Sequence, residues 1–214
     1  MKLVLHSYWR SSASQRVRIG LGLKGLPFEY VAVHIVHRDQ FTDAYTARNP
    51  MAQVPTLEIT EDDGTVHALV QSLPILEFLD ERFPQPPLLP ADRYARARAR
   101  ALAELINSGI QPMQNLSTTK RVKELGGDDQ AWVRPFIATG LAAYQRLAAD
   151  TAGAFSVGDS PTIADCCLVP QLASARRFDV SLEPFAALTT IEAHCLALPA
   201  FAAAQPDRQP DAQK

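Results

Sequence analysis

The sequence predicts an α/β domain at the N-terminus followed by an all-α domain. Three observations carry this. Strand-like and helix-like segments alternate up to residue 82. Four prolines (Pro84, Pro86, Pro87 and Pro90) then crowd into seven residues, the composition of a semi-rigid extended linker. Beyond them the chain is rich in Ala, Leu and Arg and offers no convincing strand. The boundaries expected are 1–83 for the first domain, 84–91 for the linker and 92–214 for the helical domain.

Taken in order, Lys2 to His6 is a short apolar strand. Gln15 to Lys24 reads as a helix, with Val17/Leu21 and Ile19/Leu23 four apart, and Gly25 and Pro27 end it. Phe28 to His34 is β-branched and aromatic, a second strand, so the opening is a βαβ unit with its right-handed crossover. A polar, helix-tolerant stretch covers 37–48, and 49–53 is loop. Thr56–Ile59 and Val66–Val70 flank the turn Glu61-Asp62-Asp63-Gly64 and form a hairpin. Ser72 stands as the cap of a helix with Pro74 in its first turn and Leu76, Leu79 and Phe83 as its buried stripe. The order is β-α-β-α-β-β-α. Helical segments follow at 92–109, 128–149, 162–178 and 184–204, with a polar tail from Gln205. Thr162 and Asp165 spell a capping box, a folding element rather than a site. Cys166 and Cys167 fall on that helix and read as core.

Composition excludes several functions. The chain has 214 residues, 21 Lys and Arg against 23 Asp and Glu, and a net charge of −2, which gives no field for a nucleic acid. The cluster Arg93, Arg96, Arg98 and Arg100 reads as a solvated helix face. No run approaches the roughly 18 apolar residues of a membrane span. Leu3-Val4-Leu5 is too short for a signal-peptide core, so a cytoplasmic location is expected. Three cysteines with no CxxC are neither a disulfide framework nor a redox pair, and no Cys/His spacing suits a metal.

Three segments carry candidate chemistry. Ser11, Ser12 and Ser14 cluster where the first strand gives way to the first helix. A helix start presents unpaired N–H groups and partial positive charge, so it suits an anion, and a hydroxyl there suits a thiolate. Plain N-capping needs only one of these serines. No His or Lys is placed to make a serine nucleophilic, which disfavours hydrolysis. Gln53-Val54-Pro55 opens a strand; read from the residues alone, Pro55 is an edge-strand start with a trans bond. Gln71-Ser72 combines an amide with a capping serine, a pair suited to a carboxylate; a helix cap alone accounts for the pair equally well.

The order and spacing of these pieces resemble the zeta class of glutathione S-transferases, the maleylacetoacetate isomerases. The matching motifs are Ser11-Ser12-Ala13-Ser14-Gln15-Arg16-Val17-Arg18-Ile19, Leu23-Lys24-Gly25, Asn49-Pro50-Met51 with Gln53-Val54-Pro55-Thr56-Leu57, and Gln71-Ser72-Leu73. Gly109-Ile110-Gln111-Pro112, Gln114-Asn115-Leu116-Ser117, Ala164-Asp165, Leu168-Val169-Pro170-Gln171 and Arg208-Gln209-Pro210-Asp211 extend the likeness nearly end to end. The resemblance implies a glutathione transferase fold: a thioredoxin-like N-terminal domain plus an all-α C-terminal domain, in a homodimer. It also implies glutathione as a cofactor returned unchanged, and a small dicarboxylate isomerised about a cis double bond in tyrosine or phenylalanine breakdown.

Residue by residue, the resemblance makes Ser11 the partner of the glutathione sulfur, with Ser12, Ala13, Ser14, Gln15 and Arg16 lining that end. Gln40 and the backbone of Val54 hold the tripeptide, with Pro55 cis. Gln71 and Ser72 hold the γ-glutamyl end, and Gln111, Asn115, Leu116 and Ser117 form the wall. Arg10 and Arg177 take the substrate carboxylates. Ala13 replaces the family's cysteine, an accessory to Ser11. Arg176 stands where many maleylacetoacetate isomerases carry an acidic residue; the double arginine Arg176-Arg177 resembles the related maleylpyruvate isomerases, whereas Leu116 and Ser117 replace arginines of that relative. The reading therefore favours maleylacetoacetate, with maleylpyruvate isomerase and a general zeta transferase or haloacid dehalogenase as alternatives. A non-catalytic glutathione-fold protein is disfavoured by the presence of Ser11, Gln71 and Ser72.

Overall fold

The computed structural model describes residues 1–213. Met1–Leu88 and the stretch from Leu198 form one compact unit, and Leu89–Ala197 form a second. The 92–214 boundary is thereby corrected at its far end: the tail belongs to the first unit, where its polar groups find partners that helical periodicity does not announce.

In the first unit, β1 (Lys2–Ser7), α1 (Ser12–Leu23) and β2 (Glu29–Ala32) make the βαβ opening. A 3-10 turn at Asp39–Phe41 and α2 (Asp43–Thr46) follow. β3 (Thr56–Thr60), β4 (Val66–Val70) and α3 (Ser72–Arg82) complete it. The sheet order is β2-β1-β3-β4, with β1 and β2 parallel and the other pairs antiparallel. His6 sits opposite Thr56, Thr56 opposite Val70, and Ser7 opposite Ala32. The C-terminal ends of β1, β2 and β4 and the N-terminal end of β3 therefore share one end of the sheet. That register delivers all three candidate segments, and the loop carrying Gln40, to the same edge.

The strand and helix periods supply the core beneath that edge. Leu3, Leu5, Leu57 and Ile59 point from alternate strand positions onto Val17 and Leu21 of α1 and Ile75 and Leu79 of α3. Each such side chain contributes about 1.5–3 kcal/mol when fully buried. Gly20 lets the helices approach: a Cβ there would stand 2.2 Å from Leu76 Cδ2. The proline linker is strapped down as far as Leu88. The buried Lys24 Nζ donates to Asp80 Oδ1 (2.7 Å), the Phe83 carbonyl (2.7 Å) and the Pro86 carbonyl (2.6 Å).

The second unit is helical throughout: α4 (Arg93–Glu104), a π-helical turn (Leu105–Ile110), α5 (Gln111–Gln114), α6 (Leu116–Glu124), α7 (Asp129–Ala148), α8 (Ile163–Arg177) and α9 (Ala186–Leu196). α5 and α6 lie in a stretch that periodicity leaves unassigned. The segment read as one helix at 184–204 breaks at Leu198, before Pro199, and α10 (Pro199–Ala203) belongs to the first unit. The capping box forms as spelled: Thr162 Oγ1 accepts from Ala164 N (3.2 Å), and Asp165 Oδ2 accepts from Thr162 N (2.8 Å). Cys166, Cys167 and Cys195 are all buried.

Candidate functional site

Ser11 is the N-cap of α1, which starts three residues earlier than Gln15 because the cap overrides the later apolar spacing. Ser11 Oγ accepts from Ser14 N at 3.2 Å, and Ser11 N donates to the Tyr8 carbonyl at 3.0 Å. The hydroxyl's lone pair is thus occupied while its proton remains available to an external acceptor. The amides of Ser12 and Ala13, in the first turn, have no acceptor within the helix. Ser11, Ser12 and Ala13 are half-buried, whereas Ser14, Gln15 and Arg16 are buried beneath them. Ser14 Oγ and Gln15 Nε2 are buried without a hydrogen-bond partner among the described residues.

The Gln71-Ser72 segment departs from its expectation. The N-cap of α3 is Gln71, whose side chain makes no capping bond, and Ser72 is the first helical residue. Ser72 Oγ instead accepts from Arg16 Nη1 at 3.1 Å, because a buried guanidinium needs acceptors more than a helix start needs a cap. Gln71 is exposed and held at φ 69°, ψ 126°, a backbone conformation that costs a non-glycine residue about 1–3 kcal/mol.

The Val54–Pro55 bond is cis, which corrects the trans reading made from the residues alone. Tertiary bonds set the loop before it: Tyr45 Oη (2.6 Å) and Asn49 Nδ2 (2.7 Å) both donate to the Gln53 carbonyl. Tyr45 and Asn49, both buried, hold the loop before Pro55, and sequence reasoning did not single them out for this. The only signal was Asn49 inside the Asn49-Pro50-Met51 motif. Gln40 is buried; its Nε2 donates to the Ile35 carbonyl at 3.2 Å, and its Oε1 has no partner among the described residues. Arg10 is exposed on the same loop as Ser11, 5.5 Å from the Trp9 ring centre.

In the second unit, Gln111 opens α5 and is half-buried, as is Asn115, the N-cap of α6; Leu116 and Ser117 are exposed. Gln114 and Gln171 exchange amide hydrogen bonds of 2.9 and 3.1 Å in the interior and tie α5 to α8. Arg177 ends α8, exposed, with its guanidinium 5.0 Å from the Phe178 ring centre. Arg176 is engaged elsewhere: it grips both oxygens of the buried Glu192 on α9, with Nη1–Oε1 at 2.7 Å. Among the described residues no group of three or more His, Cys, Asp or Glu side chains is placed to hold a metal, and no helix is long and apolar enough to cross a membrane.

The donors at the sheet edge fit glutathione. The α1 start suits a sulfur anion and the start of α3, with its exposed Gln71, suits a carboxylate. Fold and donors together define the glutathione S-transferase class. Residues 5–87 match the family model described as "Glutathione S-transferase, N-terminal domain". Maleylacetoacetate isomerase of Mus musculus is 46% identical over 213 residues, covering 98% of this chain and 95% of the relative. Maleylpyruvate isomerase of Ralstonia sp is 43% identical over 213 residues, covering 97% and 98%. The crystal structure of maleylacetoacetate isomerase from Anaeromyxobacter dehalogenans, with glutathione bound in its active site, superposes with a TM-score of 0.92 at 56% identity, covering 99% and 98%. A second structure of that protein holds dicarboxyethyl glutathione and citrate in the active site (TM-score 0.91, 55% identity, covering 100% and 98%). The chain belongs to the zeta class of glutathione S-transferases, the maleylacetoacetate isomerase family.

Proposed function

We propose that the protein is a glutathione-dependent isomerase that turns maleylacetoacetate into fumarylacetoacetate. The observation that carries this reading is the start of α1. Ser11 offers a hydroxyl proton and Ser12 and Ala13 offer unpaired amides, while the chain's own thiols (Cys166, Cys167 and Cys195) are all buried in the second unit. The site is built to favour a sulfur anion that the protein does not itself supply.

When bound, glutathione supplies a thiolate that adds to the cis carbon–carbon double bond and leaves again after rotation, and so is returned unchanged. Ser11 donates to the sulfur and, with the first-turn amides, holds the thiol proton off at neutral pH. Gln40, Val54 and Pro55 hold the tripeptide. Gln71 and Ser72 take the γ-glutamyl end, with Ser72 itself held by Arg16. Ser14 and Gln15, buried, support the α1 start. Gln111, Asn115, Leu116 and Ser117 are proposed as the wall on the helical unit. Arg10 and Arg177 anchor the substrate carboxylates and stabilise the negative charge that develops on the substrate's keto oxygen. The dicarboxyethyl conjugate and citrate in the Anaeromyxobacter relative support an acidic small-molecule substrate.

The reading extends to a cytoplasmic homodimer in tyrosine or phenylalanine breakdown.

Maleylpyruvate is the second substrate to weigh, because the Ralstonia relative acts within the same family. Two features favour maleylacetoacetate. Arg176, which made a double-arginine site conceivable, is bound to Glu192, and positions 116 and 117 carry no charge.

The test is consumption of maleylacetoacetate and, in parallel, maleylpyruvate by pure protein, with and without glutathione. Glutathione-dependent loss of maleylacetoacetate without net thiol consumption is the expected result. Preference for maleylpyruvate moves the substrate and keeps the chemistry. Net consumption of glutathione with other electrophiles, and turnover of neither maleyl acid, overturns the isomerase reading in favour of a transferase.

A further inference from the structure

The C-terminal tail folds back onto the loop that precedes Ser11. α10 lies so close to α1 that a Cβ on Gly22 would stand 3.1 Å from Ala200 Cβ. A 3-10 turn at Pro206–Arg208 then carries the chain to Asp211. Asp211 Oδ2 accepts from Trp9 N at 3.1 Å, and Oδ1 accepts from Tyr30 Oη at 2.6 Å. The same loop is gripped from beneath by the buried Arg18. Its Nη2 donates to the Trp9 carbonyl (3.0 Å), and its Nη1 donates to Ser7 Oγ (3.1 Å) and the Tyr8 carbonyl (3.4 Å). Arg18 also donates through Nε and Nη2 to the Ala204 carbonyl at 3.3 and 3.2 Å.

These bonds converge on the backbone that places Ser11. The Tyr8 carbonyl that accepts from Arg18 also accepts from Ser11 N at 3.0 Å. The Trp9 peptide is held at its N–H by Asp211 and at its carbonyl by Arg18. Burial lowers the Arg18 guanidinium to about 10, still charged at neutral pH. Burial, and then the bond to Asp211, push the Tyr30 phenol up, so it stays a donor. Asp211 is half-buried and its partners are a loop amide and one phenol rather than core side chains. Without it α10 remains bound through Arg18, while the Trp9 amide and the Tyr30 phenol each lose an acceptor.

We propose that Asp211 is a positioning residue for the proposed reaction: the tail carboxylate, buttressed by Tyr30, sets the Tyr8–Ser11 loop and thereby the Ser11 hydroxyl and the Arg10 guanidinium. This rests on the reading of Ser11 as the partner of the glutathione sulfur. A donor displaced by a fraction of an ångström loses alignment with a bound sulfur, and misplacement of about 1 Å costs on the order of a hundredfold in rate.

The experiment compares wild type, Asp211→Ala, Asp211→Asn and Ser11→Ala. Three quantities are read: amide hydrogen exchange of peptides covering residues 8–11, the ultraviolet pH titration of bound glutathione's thiol, and kcat. Asp211→Ala is expected to speed exchange at 8–11, raise the bound thiol's pKa toward that of free glutathione, and lower kcat by about tenfold. Asp211→Asn keeps an acceptor for Trp9 N and is expected to restore most of all three. A tail that merely stabilises the fold would lower the melting temperature and leave the thiol titration of the folded enzyme where it was. If Asp211→Ala does not fold, Tyr30→Phe, which removes only the buttress, is expected to give the same shifts at smaller size. Unchanged exchange at 8–11, or an unchanged thiol titration, in the folded variant overturns the proposal. If Ser11→Ala also leaves the thiol titration unchanged, the Ser11 reading falls and this proposal with it. If Ser11→Ala shifts it and Asp211→Ala does not, this proposal falls alone.

Discussion

Arg16 Nη1 donates to Ser72 Oγ at 3.1 Å, a buried bond that ties the start of α1 to the start of α3. The two helix starts proposed to hold opposite ends of one tripeptide are thus held to each other. Ser72→Ala removes an acceptor from a buried guanidinium and is expected to cost about 1–3 kcal/mol. Urea unfolding should show a lower midpoint with an unchanged slope. The KM for glutathione should rise, while a site that does not use α3 would keep its KM.

Ser11 has two separable duties. As N-cap it accepts from Ser14 N, and as proposed thiolate partner it donates. Ser11→Ala loses both and is expected to cost about 1 kcal/mol of stability. Its kcat should fall by about 10- to 100-fold, the order lost with one positioned hydrogen-bond donor. Ser11→Asp keeps the cap but presents a carboxylate that repels a sulfur anion. Wild-type stability with a lost rate in Ser11→Asp is the expected signature. A near-wild-type rate in both variants removes Ser11 from the chemistry.

Arg176 and Arg177 are neighbours with different expected phenotypes. Arg177→Ala should raise KM for a dicarboxylate more than for a neutral acceptor such as chlorodinitrobenzene. Equal effects on both would remove it from carboxylate binding. Arg176→Ala strips the buried Glu192 of its partner and is expected to cost about 1–3 kcal/mol, read by urea unfolding, with substrate KM unchanged.

Burial raises the Cys166 and Cys195 thiols and the Tyr144 phenol above their ordinary values of 9.0 and 10.0. A group raised in the folded state contributes stability that is complete below its unfolded pKa and is lost as pH climbs above it. Above pH about 9 the unfolded chain sheds protons that the folded chain keeps, so unfolding becomes easier. The urea midpoint is expected to hold near neutrality and to drop from about pH 9 upward. Cysteine-reactive reagents should label all three thiols at the rate of unfolding. Fast labelling of the native protein at neutral pH would contradict this burial.

Where local spacing decides structure, the residues alone were sufficient. The β-α-β-α-β-β-α order follows from apolar periods and turn residues a few positions apart. The Thr162–Asp165 capping box closes within one turn, as its spelling requires. Ser11 was legible as an anion-favouring helix start for the same reason. The resemblance added the cis geometry at Pro55, which the residues alone assign wrongly, since the Tyr45 and Asn49 bonds that shape the loop before it arise only in the fold.

What tertiary structure alone decided are pairings between groups far apart in the chain. Ser72 looks like a cap until Arg16, 56 residues away, claims its hydroxyl. Arg176 and Arg177 look alike until Glu192 takes one of them. The tail from Gln205 looks like a solvated end until Asp211 meets Trp9 across 202 residues. In each case the reason is the same: a polar side chain's role is set by which partner lies within about 3 Å when water is excluded. Only the packed chain fixes that distance.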